Sequence, residues 1–174
     1  YEAPPRDYFQ AVSDWYEKRH HAAIHLDWQL FATGVNPALS ASVRSVTNAG
    51  DQGVVQTPVY NMFFNSIENA GRQVLPAELA YDATTHTYRI DWAILEAALA
   101  QPKTSAMVLC NPHNPIGQIW TREELVHIAA LCQQYGVILI AGEIHGDLTL
   151  NDHEYTPTFT FPADLRQNLI TLVA

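Results

Sequence analysis

Short apolar runs alternate with amphipathic segments along this chain. The apolar runs predict strands over residues 28–32, 54–57, 72–79, 106–110, 137–141 and 168–174. Apolar residues at helical spacing predict helices between them, the first over residues 7–21, where Phe9, Val12 and Tyr16 recur on one face. Strands rich in Val, Ile and Leu that alternate with helices are typical of an α/β fold, a mostly parallel sheet with helices on both faces.

Capping residues sharpen several helix starts. Asp91 is a predicted N-cap of a helix that ends near Ala100, and Thr121 to Glu124 has the sequence of a capping box. Asn36 is predicted as an N-cap with Pro37 at the first helical position, directly after the 28–32 strand. The N–H groups of Gly34, Val35 and Asn36, together with the positive end of the helix dipole, predict an anion site suited to a phosphate. Many strand-to-helix turns contain glycine for structural reasons alone, so this signal needs support from elsewhere in the chain.

Composition narrows the class of protein. The 174 residues, 48% of them apolar, suit one α/β domain, and a net charge of -9 with only 9 Lys plus Arg argues against binding the phosphate backbone of a nucleic acid. The sequence has no apolar run long enough to predict a membrane span, and no basic segment followed by an apolar one to predict a signal peptide. We therefore expect a soluble cytoplasmic protein. Cys110 and Cys132 are expected to be buried thiols. The chain starts without Met and stops in an apolar run, which predicts a piece of a larger protein.

The polar loop after the 106–110 strand carries the strongest chemical signal. It has the sequence Asn-Pro-His-Asn-Pro-Ile-Gly over residues 111–117. Pro115 restricts the conformation of Asn114, so the amide of Asn114 is held ready to bind a ligand. The alternative is a loop whose prolines only end the strand.

Four segments follow predicted strands directly: Gly34, Tyr60, Asn114 and residues 143–145. The carboxyl ends of parallel strands meet at one edge of the sheet, where ligands bind in open α/β folds. We therefore expect these segments to share one ligand site.

The loop sequence resembles the Asn-Pro-x-Asn-Pro-x-Gly signature of pyridoxal-phosphate enzymes with the aspartate aminotransferase fold. The order of segments is similar to that fold over nearly the whole chain, and more narrowly to the carbon–sulfur lyase branch of the class I and II aminotransferases, the cystathionine β-lyase type. The resemblance implies that residues 1–174 are the central part of the large cofactor-binding domain of a homodimer, without the N-terminal arm and the C-terminal small domain. It also implies an amino-acid substrate such as cystathionine, cleaved to pyruvate, ammonia and a thiol.

The same resemblance implies roles for individual residues. Gly34, Val35 and Asn36 would hold the cofactor phosphate, and Tyr60 would stack on the pyridine ring. Asn114 would bond the ring 3-oxygen, and His145 would lie near that oxygen. Tyr1 would reach the phosphate of a partner subunit. Structural explanations stay open for Tyr60, as a core aromatic at a helix entry, and for His145, as a loop histidine, while His113 is interpreted as structural.

Two features depart from the family pattern. Gly142 stands where the family has an Asp that pairs with the pyridine nitrogen. The family's Schiff-base lysine would lie beyond Ala174, and neither Lys18 nor Lys103 is placed to replace it. The 174-residue chain is therefore predicted to be inactive by itself.

Three other functions compete with the lyase. The first is a class I or II aminotransferase. The second is a metal-dependent hydrolase that uses Glu143, His145 and Asp147, which alternate along the sequence. The third is a non-catalytic binding or dimerisation module.

Overall fold

The structure is a computed structural model and describes residues 4–150 and 153–174. Its α-helices are α1 Arg6–His20, α2 Val35–Val46, α3 Met62–Glu68, α4 Trp92–Leu99 and α5 Arg122–Gln134. Its strands are β1 Gln52–Thr57, β2 Gln73–Glu78, β3 Ala80–Asp82, β4 Thr87–Arg89, β5 Thr104–Cys110, β6 Ile138–Gly142 and β7 Leu169–Leu172. Short 3-10 turns lie at Leu26–Trp28, Thr158–Thr160 and Leu165–Asn168.

Five strands form one parallel sheet in the order β2-β1-β5-β6-β7. This confirms the predicted α/β class. The chain moves from β1 outward to β2, then crosses back to place β5 on the other side of β1. The strand order therefore reverses between β1 and β5, and a crevice opens at the carboxyl ends of strands where such a reversal occurs.

The side chains of β5 show how the two faces of the sheet are covered. Met107 and Leu109 pack into one core with residues of α4 and α5. Ala106, Val108 and Cys110 point the other way, into a second core with residues of α2 and α3. This period-2 alternation between two apolar faces is the reason why the strand has an almost uniformly apolar sequence.

Two predicted helix starts are confirmed by their caps. The Asp91 carboxylate accepts a hydrogen bond from the Ile94 N–H at 3.1 Å. The Thr121 hydroxyl accepts from the Glu124 N–H at 3.2 Å, and the Glu124 carboxylate accepts from the Thr121 N–H at 2.8 Å, which completes the capping box. Both caps satisfy N–H groups that have no partner inside the helix.

Gly53 lies inside β1, where a β-branched residue would normally favour the strand. A Cβ atom at this position would come 3.0 Å from Ile67 Cδ1 and 3.2 Å from Ile67 Cγ1. The glycine therefore allows α3 to approach β1 closely.

The predicted strand over residues 28–32 is wrong. The chain makes a 3-10 turn at Leu26–Trp28 and then runs to α2 without pairing to a strand. Leu30 is 94% exposed, so its apolar side chain does not belong to the core that suggested a strand. Apolar character alone does not form a strand where no neighbouring strand is available.

The predicted N-cap at Asn36 is also wrong. Helix α2 begins at Val35, with Gly34 in the capping position, and the Ala38 N–H donates to the Gly34 carbonyl at 3.1 Å. Pro37 therefore lies inside the first turn, where its missing N–H costs no helical hydrogen bond. In the described ranges, no helix is both long and apolar enough to cross a membrane.

Candidate functional site

A cavity of about 430 Å³ opens at the carboxyl edge of the sheet, beside the reversal in strand order. Its size lies in the usual range for a small-molecule site. The side chains and backbone that line it come from α2, α3 and the ends of β1, β5 and β6: Val35, Asn36, Tyr60, Phe63, Cys110, Asn114, Gly142, Ile144 and His145.

Six residues predicted from the sequence line this one cavity: Val35, Asn36, Tyr60, Asn114, Gly142 and His145. Gly34 is not among the lining residues: it immediately precedes α2, and it does not follow a strand as expected. Tyr1 lies outside the described residues. The structure thus brings the predicted residues together, while their individual roles stay predictions.

The amino end of α2 presents N–H donors to the cavity. Pro37 has no N–H and the Ala38 N–H is bonded to Gly34, so the N–H groups of Val35 and Asn36 are the donors at this helix end. The first turn of α2 contains no acidic residue. The positive end of a 12-residue helix therefore faces the cavity without an opposing charge.

Tyr60 and Phe63 form an aromatic wall. The Tyr60 ring is 40% exposed and lies 6.4 Å, centroid to centroid, from the Phe63 ring at an angle of 72°. Phe63 is buried beneath it. Because Tyr60 keeps a large exposed surface on the cavity, it is not the core aromatic that the structural interpretation of this residue required.

The backbone of Asn114 is fixed from two sides. Its N–H donates to Cys110 Sγ at 3.3 Å, and its carbonyl accepts from the Tyr60 N–H at 3.1 Å. Burial raises the pKa of the Cys110 thiol to about 11, so the thiol is neutral. Among the described residues, no hydrogen bond uses the Asn114 side-chain amide, which is therefore available to a ligand.

A turn after β6 carries His145 and Ile144 to the cavity. The Gly146 N–H donates to the Glu143 carbonyl at 3.1 Å, and the Leu148 N–H donates to the His145 carbonyl at 2.9 Å. His145 is half-buried at the cavity wall. Its ring is the one imidazole among the lining residues, so it can donate or accept a proton there.

Glu143 follows Gly142 directly but points away from the cavity. Its carboxylate is only 1% exposed and accepts hydrogen bonds from Asn111 Nδ2 at 3.1 Å, from the Thr158 N–H at 3.1 Å and from the Tyr155 hydroxyl. Burial raises the pKa of Glu143 to about 7, against the effect of these donors. We call Glu143, Asn111, Tyr155 and Thr158 the carboxylate cluster.

The proposed metal arrangement of Glu143, His145 and Asp147 does not form. Glu143 is taken up by the carboxylate cluster, and Asp147 accepts from Trp15 Nε1 at 2.7 Å and lies 2.7 Å from His20 Nε2. The three side chains therefore have separate surroundings, because the segment after β6 is a turn and not a strand. Across residues 4–150 and 153–174, no three His, Cys, Asp or Glu side chains converge on a metal position.

The cavity wall at Gly142 is apolar. A Cβ atom there would come 3.2 Å from Phe63 Cζ and 3.6 Å from the Leu109 carbonyl oxygen. No acidic residue and no lysine is among the lining residues. Lys103 lies at the opposite edge of the sheet, where its carbonyl accepts from the Gln52 N–H at 2.8 Å, and Lys18 lies on α1.

Ile144 belongs to the predicted segment 143–145, and sequence reasoning missed two lining residues, Phe63 and Cys110. Cys110 continues the alternation of Ala106 and Val108, so period 2 could have placed it on the cavity face of β5. Phe63 follows Tyr60 at helical spacing. The complete set of groups, helix donors beside an aromatic wall and a free amide, fits a flat ring with an anionic arm.

Comparison with known proteins gives one family. Residues 6–173 match the family model for aminotransferase class I and II. The chain is 37% identical over 174 residues to cystathionine beta-lyase PatB of Bacillus subtilis, covering 100% of this chain and 44% of PatB. It is 33% identical over 151 residues to protein MalY of Escherichia coli, covering 87% of this chain and 38% of MalY.

A solved structure gives the same picture. Cystalysin from Treponema denticola, which contains a pyridoxal 5'-phosphate cofactor, matches with a TM-score of 0.94 and 33% identity, covering 100% of this chain and 44% of cystalysin. The chain therefore spans less than half the length of these relatives.

Proposed function

Because the chain belongs to the aminotransferase class I and II family, we propose that it is part of the large cofactor-binding domain of a pyridoxal-phosphate-dependent carbon–sulfur lyase. The proposed substrate is cystathionine or a related cysteine S-conjugate, and the products are pyruvate, ammonia and a thiol. The cavity at the carboxyl edge carries this proposal, since it combines an anion-binding helix end, an exposed aromatic ring and a free amide. The names of PatB and cystalysin support the reaction and the cofactor, respectively.

Different residues of the chain bind different parts of the cofactor in this proposal. The N–H groups of Val35 and Asn36 bind the phosphate, next to Gly34. Tyr60 packs against one face of the ring. The Asn114 amide donates a hydrogen bond to the ring 3-oxygen, and His145 holds a proton near the same oxygen. The bound cofactor supplies an electron-withdrawing ring that stabilises negative charge on the substrate Cα.

Two requirements of this chemistry are not met by the described residues. Gly142 offers no carboxylate to a ring nitrogen, and both lysines of the chain are remote from the cavity. We place the covalent lysine in a part of the protein outside these 174 residues, because the relatives are more than twice as long as the matched segment. The 174-residue chain alone is then inactive.

We also propose a cytoplasmic homodimer. Several apolar side chains outside the cavity have large exposed surfaces, as side chains that another subunit covers would have. They are Leu30, Phe31, Leu148 and Leu150. Sedimentation of the full-length protein should give twice the mass of one chain, and a monomer at micromolar concentration would contradict the proposal.

The lyase proposal is tested on the full-length protein that contains this chain. Cystathionine should yield pyruvate, and absorbance should report bound cofactor. Tyr60→Ala should weaken cofactor affinity about tenfold, because it removes the aromatic contact with the ring.

The matched control is Tyr81→Ala, which removes a tyrosine that is 50% exposed on the β3–β4 hairpin and does not line the cavity. Tyr81→Ala should leave cofactor affinity unchanged. Full affinity in Tyr60→Ala would reject the assignment of Tyr60.

An aminotransferase is the second candidate, and the description of the matching family favours it. Transfer of the amino group to an added keto acid, without release of a thiol from cystathionine, would support it over the lyase. A non-catalytic module, the remaining alternative, would bind cofactor and show neither reaction.

A further inference from the structure

His113 lies behind the cavity and does not line it. Its side chain is 1% exposed, and its ring meets the Trp120 ring edge-on at 5.5 Å between centroids and 87°. Its Nε2 atom is 2.9 Å from the carbonyl oxygen of Pro58. Because a carbonyl oxygen can only accept, Nε2 carries the hydrogen and donates it.

The rest of the imidazole is consistent with one neutral tautomer. Nδ1 is buried and has no hydrogen-bond partner among the described residues. Burial lowers the pKa of His113, because a charged ring in this position would be desolvated. His113 is therefore a neutral donor held in one orientation.

The backbone of His113 is equally fixed. Its N–H donates to the Gln118 carbonyl at 2.7 Å, and its carbonyl accepts from the Gly117 N–H at 2.8 Å. These bonds close the loop between β5 and α5 on itself. The imidazole thus extends from a backbone fixed by hydrogen bonds to the segment that follows β1.

The two segments joined by His113 carry the two ligand-facing groups. Pro58 lies two residues before Tyr60, and Asn114 follows His113. A single backbone bond, from the Tyr60 N–H to the Asn114 carbonyl at 3.1 Å, also connects these segments. These are the two hydrogen bonds between residues 58–60 and 111–117 in the described part of the chain, so without the imidazole only the Tyr60–Asn114 backbone bond holds the two loops together beyond the pairing of β1 with β5.

We infer that His113 is a positioning residue that sets the spacing between the Tyr60 ring and the Asn114 amide across the cavity. This inference rests on the proposed function, since the spacing matters for a ring held between these two groups. His113 does not touch the ligand. It acts through the Pro58 carbonyl, on one side, and through its own backbone, on the other.

Two amide substitutions separate this role from simple packing. The Gln side chain can place an N–H near the position of Nε2, whereas the shorter Asn side chain places it near Nδ1, out of reach of Pro58. In the full-length protein, His113→Asn should weaken pyridoxal-phosphate affinity about tenfold, and His113→Gln should stay within about threefold of the natural protein. The circular dichroism of the bound cofactor should change in His113→Asn and be retained in His113→Gln.

The unfolding temperature without cofactor is measured beside affinity. His127→Asn is the matched control, because the His127 ring stacks on Trp92 at 4.3 Å on the helix surface and does not line the cavity. It should change neither affinity nor dichroism. If His113→Asn does not fold, His113→Leu, which fills the buried site but has no donor for the Pro58 carbonyl, takes its place: a weaker cofactor affinity at an unchanged unfolding temperature supports the role, and natural affinity and dichroism overturn it.

The outcomes distinguish this inference from the proposed function. If the natural protein binds no pyridoxal phosphate, both fail. If it binds and His113→Asn has natural affinity and dichroism, only the positioning role fails. Equal losses of affinity and unfolding temperature in both amide variants would also overturn it, because the ring would then serve packing alone.

Discussion

Neighbouring residues at the end of β6 belong to two very different polar environments. Gly142 lines the cavity, and no acidic residue lines its wall. The α2 N–H groups and the Asn114 side-chain amide at this cavity have no protein partner among the described residues. On the side of Glu143 lies the carboxylate cluster, in which a buried charge is met by three donors. The difference illustrates an expectation: polar groups left unsatisfied at an opening are available to a ligand, whereas a buried carboxylate with all its donors in place is expected to be structural.

The carboxylate cluster should matter most for stability. Glu143→Ala removes the acceptor of the Tyr155 hydroxyl, of the Thr158 N–H and of one Asn111 Nδ2 hydrogen, while Nδ2 keeps its bond to the Thr156 carbonyl, so the free energy of unfolding should fall by about 3–5 kcal/mol. Urea unfolding measures it. Glu68→Ala, at the exposed end of α3, is the control and should change stability by less than about 0.5 kcal/mol. A loss in Glu143→Ala no larger than in the control would show that the cluster is not structural.

Adding a carboxylate to the cavity side should sharpen the contrast. Both Gly142→Asp and Gly142→Asn place a Cβ atom 3.2 Å from Phe63 Cζ, so the two variants are compared with each other: in the full-length protein the Asp variant should bind the cofactor up to about tenfold more tightly than the Asn variant, through a charge-assisted hydrogen bond to the ring nitrogen. Titration of cofactor absorbance measures this, with Gly142→Asn as the uncharged control. Equal affinity in the two variants would mean that the nitrogen does not face Gly142.

The same substitution should not rescue the 174-residue chain. Without a lysine at the cavity, Gly142→Asp should give no pyruvate from cystathionine, because both deficits affect the same carbanion step. Turnover by this 174-residue variant would show that the lysine we place outside these residues is not needed.

Glu143 should also make stability depend on pH. The pKa of Glu143 is about 7 in the folded state and 4.5 for an ordinary glutamate, so the folded state binds the proton more tightly. The contribution of this proton to stability is full below about pH 4.5 and is lost as the pH rises through 7. The pKa of His113 is lowered in the folded state, so this histidine destabilises the folded protein as the pH falls through its ordinary pKa of 6.5. From pH 6.5 to 8, the titration of Glu143 should therefore lower the free energy of unfolding by about 1 kcal/mol, and the titration of His113 should offset part of that fall.

Glu143→Gln should remove most of that slope, since it has no titrating group. Urea unfolding at both pH values tests this. An equal slope in Glu143→Gln and the natural protein would assign the pH dependence to another group.

The smallest effect is expected at Asn36. Its proposed contact with the phosphate is through the backbone N–H, and its side chain does not cap α2. Asn36→Ala should therefore change cofactor affinity less than about threefold. A larger loss would assign the contact to the side-chain amide.

Local rules were sufficient for much of the fold. The periodicity of β5 and the caps at Asp91 and Thr121 depend on residues close in sequence, and each was predicted correctly. The strand over residues 28–32 failed because pairing depends on a distant neighbour. The β3–β4 hairpin was missed because its three-residue strands are too short to show a pattern of alternation.

Prediction of the site followed the same division. Tyr60 and Asn114 were found because each follows a recognisable strand, and both line the cavity. The surroundings of Glu143 were not foreseen. Tyr155 and Thr158 lie 12 and 15 residues further along the chain, in a segment without a repeating sequence pattern. Tertiary packing alone decides which side of β6 this carboxylate occupies.

The reversal of strand order between β1 and β5 has a consequence for folding kinetics. Gln52 on β1 pairs with Thr104 on β5, whereas its partner on β2 is Gln73, which is much closer in the sequence. The cavity therefore comes into existence only after a distant pairing has formed, and such pairings are slow. A ligand that recognises only the finished cavity should retard unfolding of the protein and leave its rate of folding almost unchanged.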